Sequence, residues 1–98
     1  MNRFENNKEE KMSKLIRLVK TISDDVEKNN LNRVLVISRS RREANFCRFL
    51  LNSASPKLKW SELNKNVIPD LMVISRRDFY KFVKTQNCSS YPVIWILE

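Results

Sequence analysis

Three apolar segments rich in β-branched residues constrain the fold of this chain more than any other feature. They cover residues 33–38, 67–75 and 91–97, and most of each segment lacks polar alternation, which is typical of strands buried on both faces. Apolar residues at helical spacing precede each segment, at about residues 9–28, 40–52 and 76–86. Strands separated by helices pair in parallel through right-handed crossovers. The sequence therefore predicts an α/β fold, a small doubly wound parallel sheet of three strands with flanking helices.

The length and composition exclude several classes of site. The 98 residues are expected to form one domain, residues 1–98, with residues 1–8 as a flexible N-terminus. The chain has no glycine for phosphate-binding loops and no histidine for catalytic triads or zinc sites. Its two cysteines, Cys47 and Cys88, are too few for a structural zinc site or a disulfide framework. We therefore expect no enzyme, no catalytic residue, no metal, no cofactor and no small-molecule substrate.

Serine and arginine residues follow the first two predicted strands in nearly the same order. Ser40 and Glu43 have the spacing of a helix capping box, and Ser75 and Asp78 repeat it. Parallel strands end at one edge of the sheet, where ligands bind and helix N-termini attract anions. Arginine suits such a site because its planar fork pairs with phosphate oxygens.

We predict that the five arginines at these strand ends bind RNA phosphates, and we name them the arginine ridge: Arg39, Arg41, Arg42, Arg76 and Arg77. The alternative is that they occupy solvated first turns of the helices. Cations in the first turn of a helix oppose the helix dipole, which is electrostatically unfavourable. Because arginines occupy this position in two helices, we favour a functional role for them.

A second basic segment, residues 57–66, surrounds an aromatic residue. Lys57, Lys59 and Lys65 lie near Trp60 in the sequence, so lysines can hold phosphates while the indole stacks on a base. We weigh equally the alternative that Trp60 covers the core. Trp95 lies in the third predicted strand and is expected to be buried.

The positive charge belongs mainly to the predicted folded part of the chain. The formal net charge is +8, and residues 29–98 carry a net charge of +7 from twelve basic and five acidic side chains. Such an excess favours a polyanionic partner, most often nucleic acid or an anionic membrane surface. The alternative is that the positive charge has no partner and only keeps the protein soluble, because copies of the chain repel one another. No apolar run approaches the length of a membrane span, so we expect no membrane partner.

Several segments together resemble the family of bacterial and organellar ribosomal protein S-two of the small subunit. They are RVLVISRSRREANFCRFLL, KWSELN and IPDLMVISRRDFYKFVKTQNCSSYPVIWILE. The units Pro69-Asp70-Leu71 and Pro92-Val93-Ile94 carry the most specific part, and Lys59-Trp60 with Leu63-Asn64 look like a basic loop of that family. The family's paired glycines after the tryptophan and its long helical hairpin are missing here.

The resemblance implies a structural constituent of the small ribosomal subunit. Its partners would be small-subunit rRNA and neighbouring small-subunit proteins, and Lys59, Trp60 and Asn64 would face RNA. Eleven asparagines and ten lysines beside two alanines suggest an A/T-rich genome, so we expect a mitochondrial ribosome, with a plastid or cytoplasmic ribosome as the alternative.

Two other classes of function stay open. The strands also resemble those of a degenerate response-regulator receiver. In this chain, however, Ser38 and Arg39 occupy the positions of the receiver's acid pair, and Ser75 occupies the position of its phosphoacceptor. Such a chain would act only as a protein-interaction domain. The other alternative is a different RNA-binding α/β module.

Overall fold

The computed structural model describes residues 3–64, 68–85 and 91–97, and all structural statements concern these residues. Helices and strands alternate along most of this part of the chain, in the order α1 (Arg3–Lys28), β1 (Val34–Ser38), α2 (Arg41–Ala54), β2 (Trp60–Ser61), β3 (Leu71–Ser75), α3 (Arg76–Thr85) and β4 (Val93–Ile96). No helix in the described part is long and apolar enough to cross a membrane. The α/β class predicted from the sequence is confirmed.

The sheet has four described strands, all parallel, in the order β2-β3-β1-β4. The predicted number of three was wrong because β2 lies in the basic segment, which showed no strand pattern. β2 contains only Trp60 and Ser61, which pair with Leu71 and Met72 of β3. The Asn52 side chain holds this short strand, since it accepts from Trp60 N at 2.9 Å and donates to Trp60 O at 3.1 Å.

Helices cover both faces of the sheet. On one face α1 and α2 pack on alternate residues of β1 and β3, and this core includes Ile22, Cys47, Leu51, Val36 and Val73. On the other face α3 supplies Phe82, which lies in a core cluster with Leu35, Ile37, Met72, Ile74 and Tyr91. β1 and β3 are therefore buried on both sides, as their apolar sequences predicted.

The edge strand β4 is buried on one face only, which differs from the prediction. Trp95 is half-buried against the α1 and α2 side, whereas Ile94 and Ile96 are 43% and 58% exposed on the other side. The reason is the position of α3, which packs on β3 and β1, so that the described residues leave Ile94 and Ile96 exposed. The expectation that Trp95 is buried therefore holds only in part, since it packs against this core but is half-buried.

The ends of several elements also differ from the sequence boundaries. α1 begins at Arg3 and not near residue 9. β3 begins at Leu71, after Pro69 and Asp70, because a proline has no N–H to give to the ladder. The flexibility of residues 1–8 stays a prediction, and Gln86, expected near the end of the third helix, lies outside the described residues.

Candidate nucleic-acid interface

The two central strands bring the ends of two distant segments together. β1 and β3 are neighbours in register from Val34 opposite Leu71 to Ser38 opposite Ser75. α2 then leaves toward one face of the sheet and α3 toward the other. The carboxyl ends of β1 and β3 thus form the point where the strand order reverses, and open parallel sheets bind ligands in the crevice at this point.

Serine side chains cap both helices that start at this edge. Glu43 N donates to Ser40 Oγ at 3.1 Å, and Asp78 N donates to Ser75 Oγ at 3.2 Å. The serine half of both predicted capping boxes is confirmed. The Glu43 carboxylate accepts from Arg39 N at 3.1 Å, one residue before the N-cap. These bonds fix the backbone from which the ridge arginines project.

One ion pair joins the two helix N-termini directly. Arg41 Nη2 lies 2.9 Å from Asp78 Oδ1, and Arg41 Nε lies 3.3 Å from Asp78 Oδ2. The hydrogen bond from Arg41 is the main cause that lowers the pKa of Asp78, against the opposing effect of partial burial. A bidentate pair of this kind shows that the two arginine segments, far apart in the sequence, meet at one edge.

Ion pairing divides the arginine ridge into two groups. Arg39 pairs with Glu43 at 3.2 Å, and Arg41 pairs with Asp78. Arg42, Arg76 and Arg77 are exposed and have no ion-pair partner among the residues described. The sequence did not predict that the acids of the first helical turns would pair with Arg39 and Arg41. Within the ridge, these three arginines are the most accessible to an external anion.

A cleft of about 340 Å³ opens beside the ridge, and Arg41 and Asp78 form part of its lining. Its other polar residues are Asn45, Arg48, Glu62 and Ser75. Sequence reasoning missed Asn45, Arg48 and Glu62. The spacing of Asn45 and Arg48 places them on one helix face, but only the tertiary structure brings Glu62 to them.

The first two lysines of the basic segment do not extend the ridge. Lys57 and Lys59 are exposed just before β2. Trp60, the first residue of β2, lies opposite Leu71, and Leu71 lies opposite Val34, so the amino ends of β2, β3 and β1 are level. These two lysines therefore lie at the sheet edge opposite the arginines. Asn64 is exposed and follows β2, and Lys65 lies outside the described residues.

Trp60 belongs to the core. It is 3% exposed and packs in the cluster formed by α1, α2 and the sheet. This burial contradicts the expectation that the indole stacks on a base, and the equally weighted alternative, that Trp60 covers the core, is confirmed. The physical reason is β2, because pairing with β3 turns the indole under α2, where Asn52 fixes its backbone.

Cys47 is a small residue of the core that α1 and α2 form with the sheet. It is fully buried, and burial raises the pKa of the thiol to about 12. A thiol that stays protonated at neutral pH is a poor nucleophile. Cys88 lies outside the described residues.

No group of three or more histidine, cysteine, aspartate or glutamate residues placed to hold a metal ion occurs in the described part. No protein-family model, curated protein or solved structure matches the chain. What the chain binds is therefore inferred from its own residues.

Proposed function

We propose that this chain binds RNA as a structural, non-catalytic protein of the small ribosomal subunit, similar to ribosomal protein S-two. The observation that carries the proposal is the meeting of two arginine-rich helix starts at one sheet edge, joined by the pair of Arg41 and Asp78. The partners are small-subunit rRNA and neighbouring small-subunit proteins, and the ribosome is mitochondrial.

The chemistry of this edge suits phosphate. Arg42, Arg76 and Arg77 stand exposed beside the first amides of α2 and α3, which carry partial positive charge at the helix N-termini. The serine caps satisfy one amide of each helix, and other first-turn amides stay available to an anion. Guanidinium groups and helix N-termini are among the groups that contact phosphate oxygens in complexes with nucleic acids.

A receiver-type activity receives no comparable support. Ser38 Oγ donates to Ser40 O at 2.7 Å, and Ser75 caps α3. Both serines therefore hold backbone groups at the positions where a receiver needs carboxylates for Mg²⁺ and for the phosphoryl group.

Sedimentation of small ribosomal subunits tests the proposal most directly. The tagged chain should remain with the small subunits of its own cells through a gradient in high salt, because contacts with neighbouring proteins add to the phosphate contacts that salt weakens. The same fractions from purified mitochondria test the organelle. Recovery at the top of the gradient even in low salt would contradict the proposal.

The ion pair between the helix starts leads to a further prediction. Asp78→Asn should strengthen RNA binding about threefold, since Arg41 loses its carboxylate partner and becomes available to a phosphate, and exposed ion pairs of this type are weak. Asparagine keeps the size of the side chain, and Ser75 still caps α3.

Asp24→Asn is the matched control, because Asp24 is exposed on α1 and its loss changes the net charge equally. Affinities are compared by fluorescence anisotropy with a labelled single-stranded RNA. An increase in the Asp78 variant no larger than that in the control would show that Arg41 takes no part in binding.

A further inference from the structure

The cleft beside the arginine ridge exists because β2 ends early. β2 pairs with β3 only as far as Ser61 opposite Met72, whereas β3 continues to Ser75. Arg48 of α2 occupies part of the place of the missing strand, because its Nη2 donates to Val73 O at 2.9 Å. Its side chain is only 18% exposed, so the guanidinium that lines the cleft is held in one orientation.

Arg48 also sets the hydrogen-bonding roles of two neighbouring side chains. Arg48 Nη1 donates to Asn45 Oδ1 at 2.9 Å, which leaves the amide nitrogen of Asn45 as a donor. Glu62 Oε2 lies 3.9 Å from Arg48 Nη1, beyond hydrogen-bond distance, and the Glu62 side chain is 75% exposed. The cleft therefore offers one amide donor and one carboxylate that still accepts.

The remaining lining suits a flat ring. Ala44 and Ile74 are buried in the wall of the cleft, and the half-buried Leu63 supplies apolar surface that can contact one face of a base, while polar groups read its edge. A volume of about 340 Å³ is at the small end of ligand sites, which span about 300–1,000 Å³. The space matches one nucleotide, and Arg41 lines the side of the cleft that belongs to the ridge.

Among the four RNA bases, only guanine presents two adjacent N–H donors beside a carbonyl acceptor on its Watson–Crick edge. A carboxylate accepts both donors, and an amide donates to the carbonyl O6. We propose that the cleft binds the base of one unpaired guanine in RNA, with Glu62 accepting from N1–H and N2–H and Asn45 donating to O6. The proposal rests on the RNA-binding function above and names the nucleotide that this edge selects.

Short uridine oligonucleotides with and without one central guanosine test the proposal. The protein should bind the guanosine-containing strand about tenfold more tightly, the preference typical of one good bidentate contact. Inosine at the same position lacks N2–H and should lose most of that preference. Glu62→Gln should reduce the ratio of the two affinities severalfold, because an amide cannot accept both donors.

Glu10→Gln is the matched control, since Glu10 is exposed on α1 and its loss changes the net charge equally. It should leave the ratio unchanged. Equal binding of both oligonucleotides by the unaltered protein overturns the guanine site and leaves the proposed RNA binding intact. Failure to bind either strand overturns both proposals.

Guanosine monophosphate distinguishes a base in RNA from a free nucleotide. If the base is part of an RNA strand, the ridge adds phosphate contacts, so the guanosine-containing strand should stay bound when the free nucleotide is present at equal concentration. Displacement by an equal concentration of guanosine monophosphate overturns the assignment to RNA. An equal or greater preference for adenosine at the central position overturns the choice of guanine.

Discussion

Alanine at Arg42, Arg76 and Arg77 together should lower the log–log slope of RNA affinity against salt concentration by about 2. Each phosphate contact contributes about 0.7 to that slope for a single strand, and these three arginines have no ion-pair partner among the described residues. Affinity at low salt should fall by about two orders of magnitude. Titrations of one labelled RNA at several salt concentrations measure both quantities.

A triple variant with alanine at Lys57, Lys59 and Lys20 is the matched control. It removes the same charge, but Lys57 and Lys59 lie at the opposite sheet edge and Lys20 is exposed on α1. Its slope should change less than that of the arginine variant. Equal changes in the two variants would mean that RNA binding depends on total charge and not on the ridge.

Trp60→Ala should destabilise the protein by about 3–5 kcal/mol, the cost of removing a large buried aromatic side chain. Small domains have only about 5–15 kcal/mol of stability in total, so the variant should melt far below the unaltered protein or fail to fold. Loss of the indole also weakens the short strand β2, because Trp60 is the buried residue of its two. Denaturant titration followed by circular dichroism measures the change.

Two further measurements separate a core role of Trp60 from a role in RNA contact. Lys59→Ala, at the exposed neighbouring position, should change stability by no more than about 0.5 kcal/mol. Trp60→Phe keeps an aromatic ring in the core and should bind RNA with unchanged affinity. A large loss of RNA affinity in Trp60→Phe, with stability preserved, would contradict the buried position.

Much of the fold could be predicted because its signals are local. Val34–Ser38 and Leu71–Ser75 are continuous apolar segments, and the capping serines precede acids at the spacing that helix starts require. β2 could not be predicted, since a strand of two residues is too short to show an alternation of apolar and polar side chains. Its strand conformation depends on a neighbouring strand and on the side chain of Asn52.

Only part of the candidate site could be predicted, because only part of it depends on local sequence. The ridge arginines follow from the rule that parallel strands end at one edge. The pairing of Arg41 with Asp78 and the approach of Glu62 to Arg48 involve residues far apart in the chain. Sequence spacing carries no information about such distances.

The sequence by itself determined the alternation of helices and strands, the caps, and the edge of the sheet that carries the arginines. These features depend on side-chain periodicity and on bonds within a few residues. Tertiary structure alone decided that Trp60 is buried, that one face of β4 is exposed, and that three of the five ridge arginines lack ion-pair partners in the described part. The reason is physical: burial and ion pairing depend on which distant segments pack together, and a two-residue strand beside β3 changes the surroundings of Trp60 without any change in local sequence.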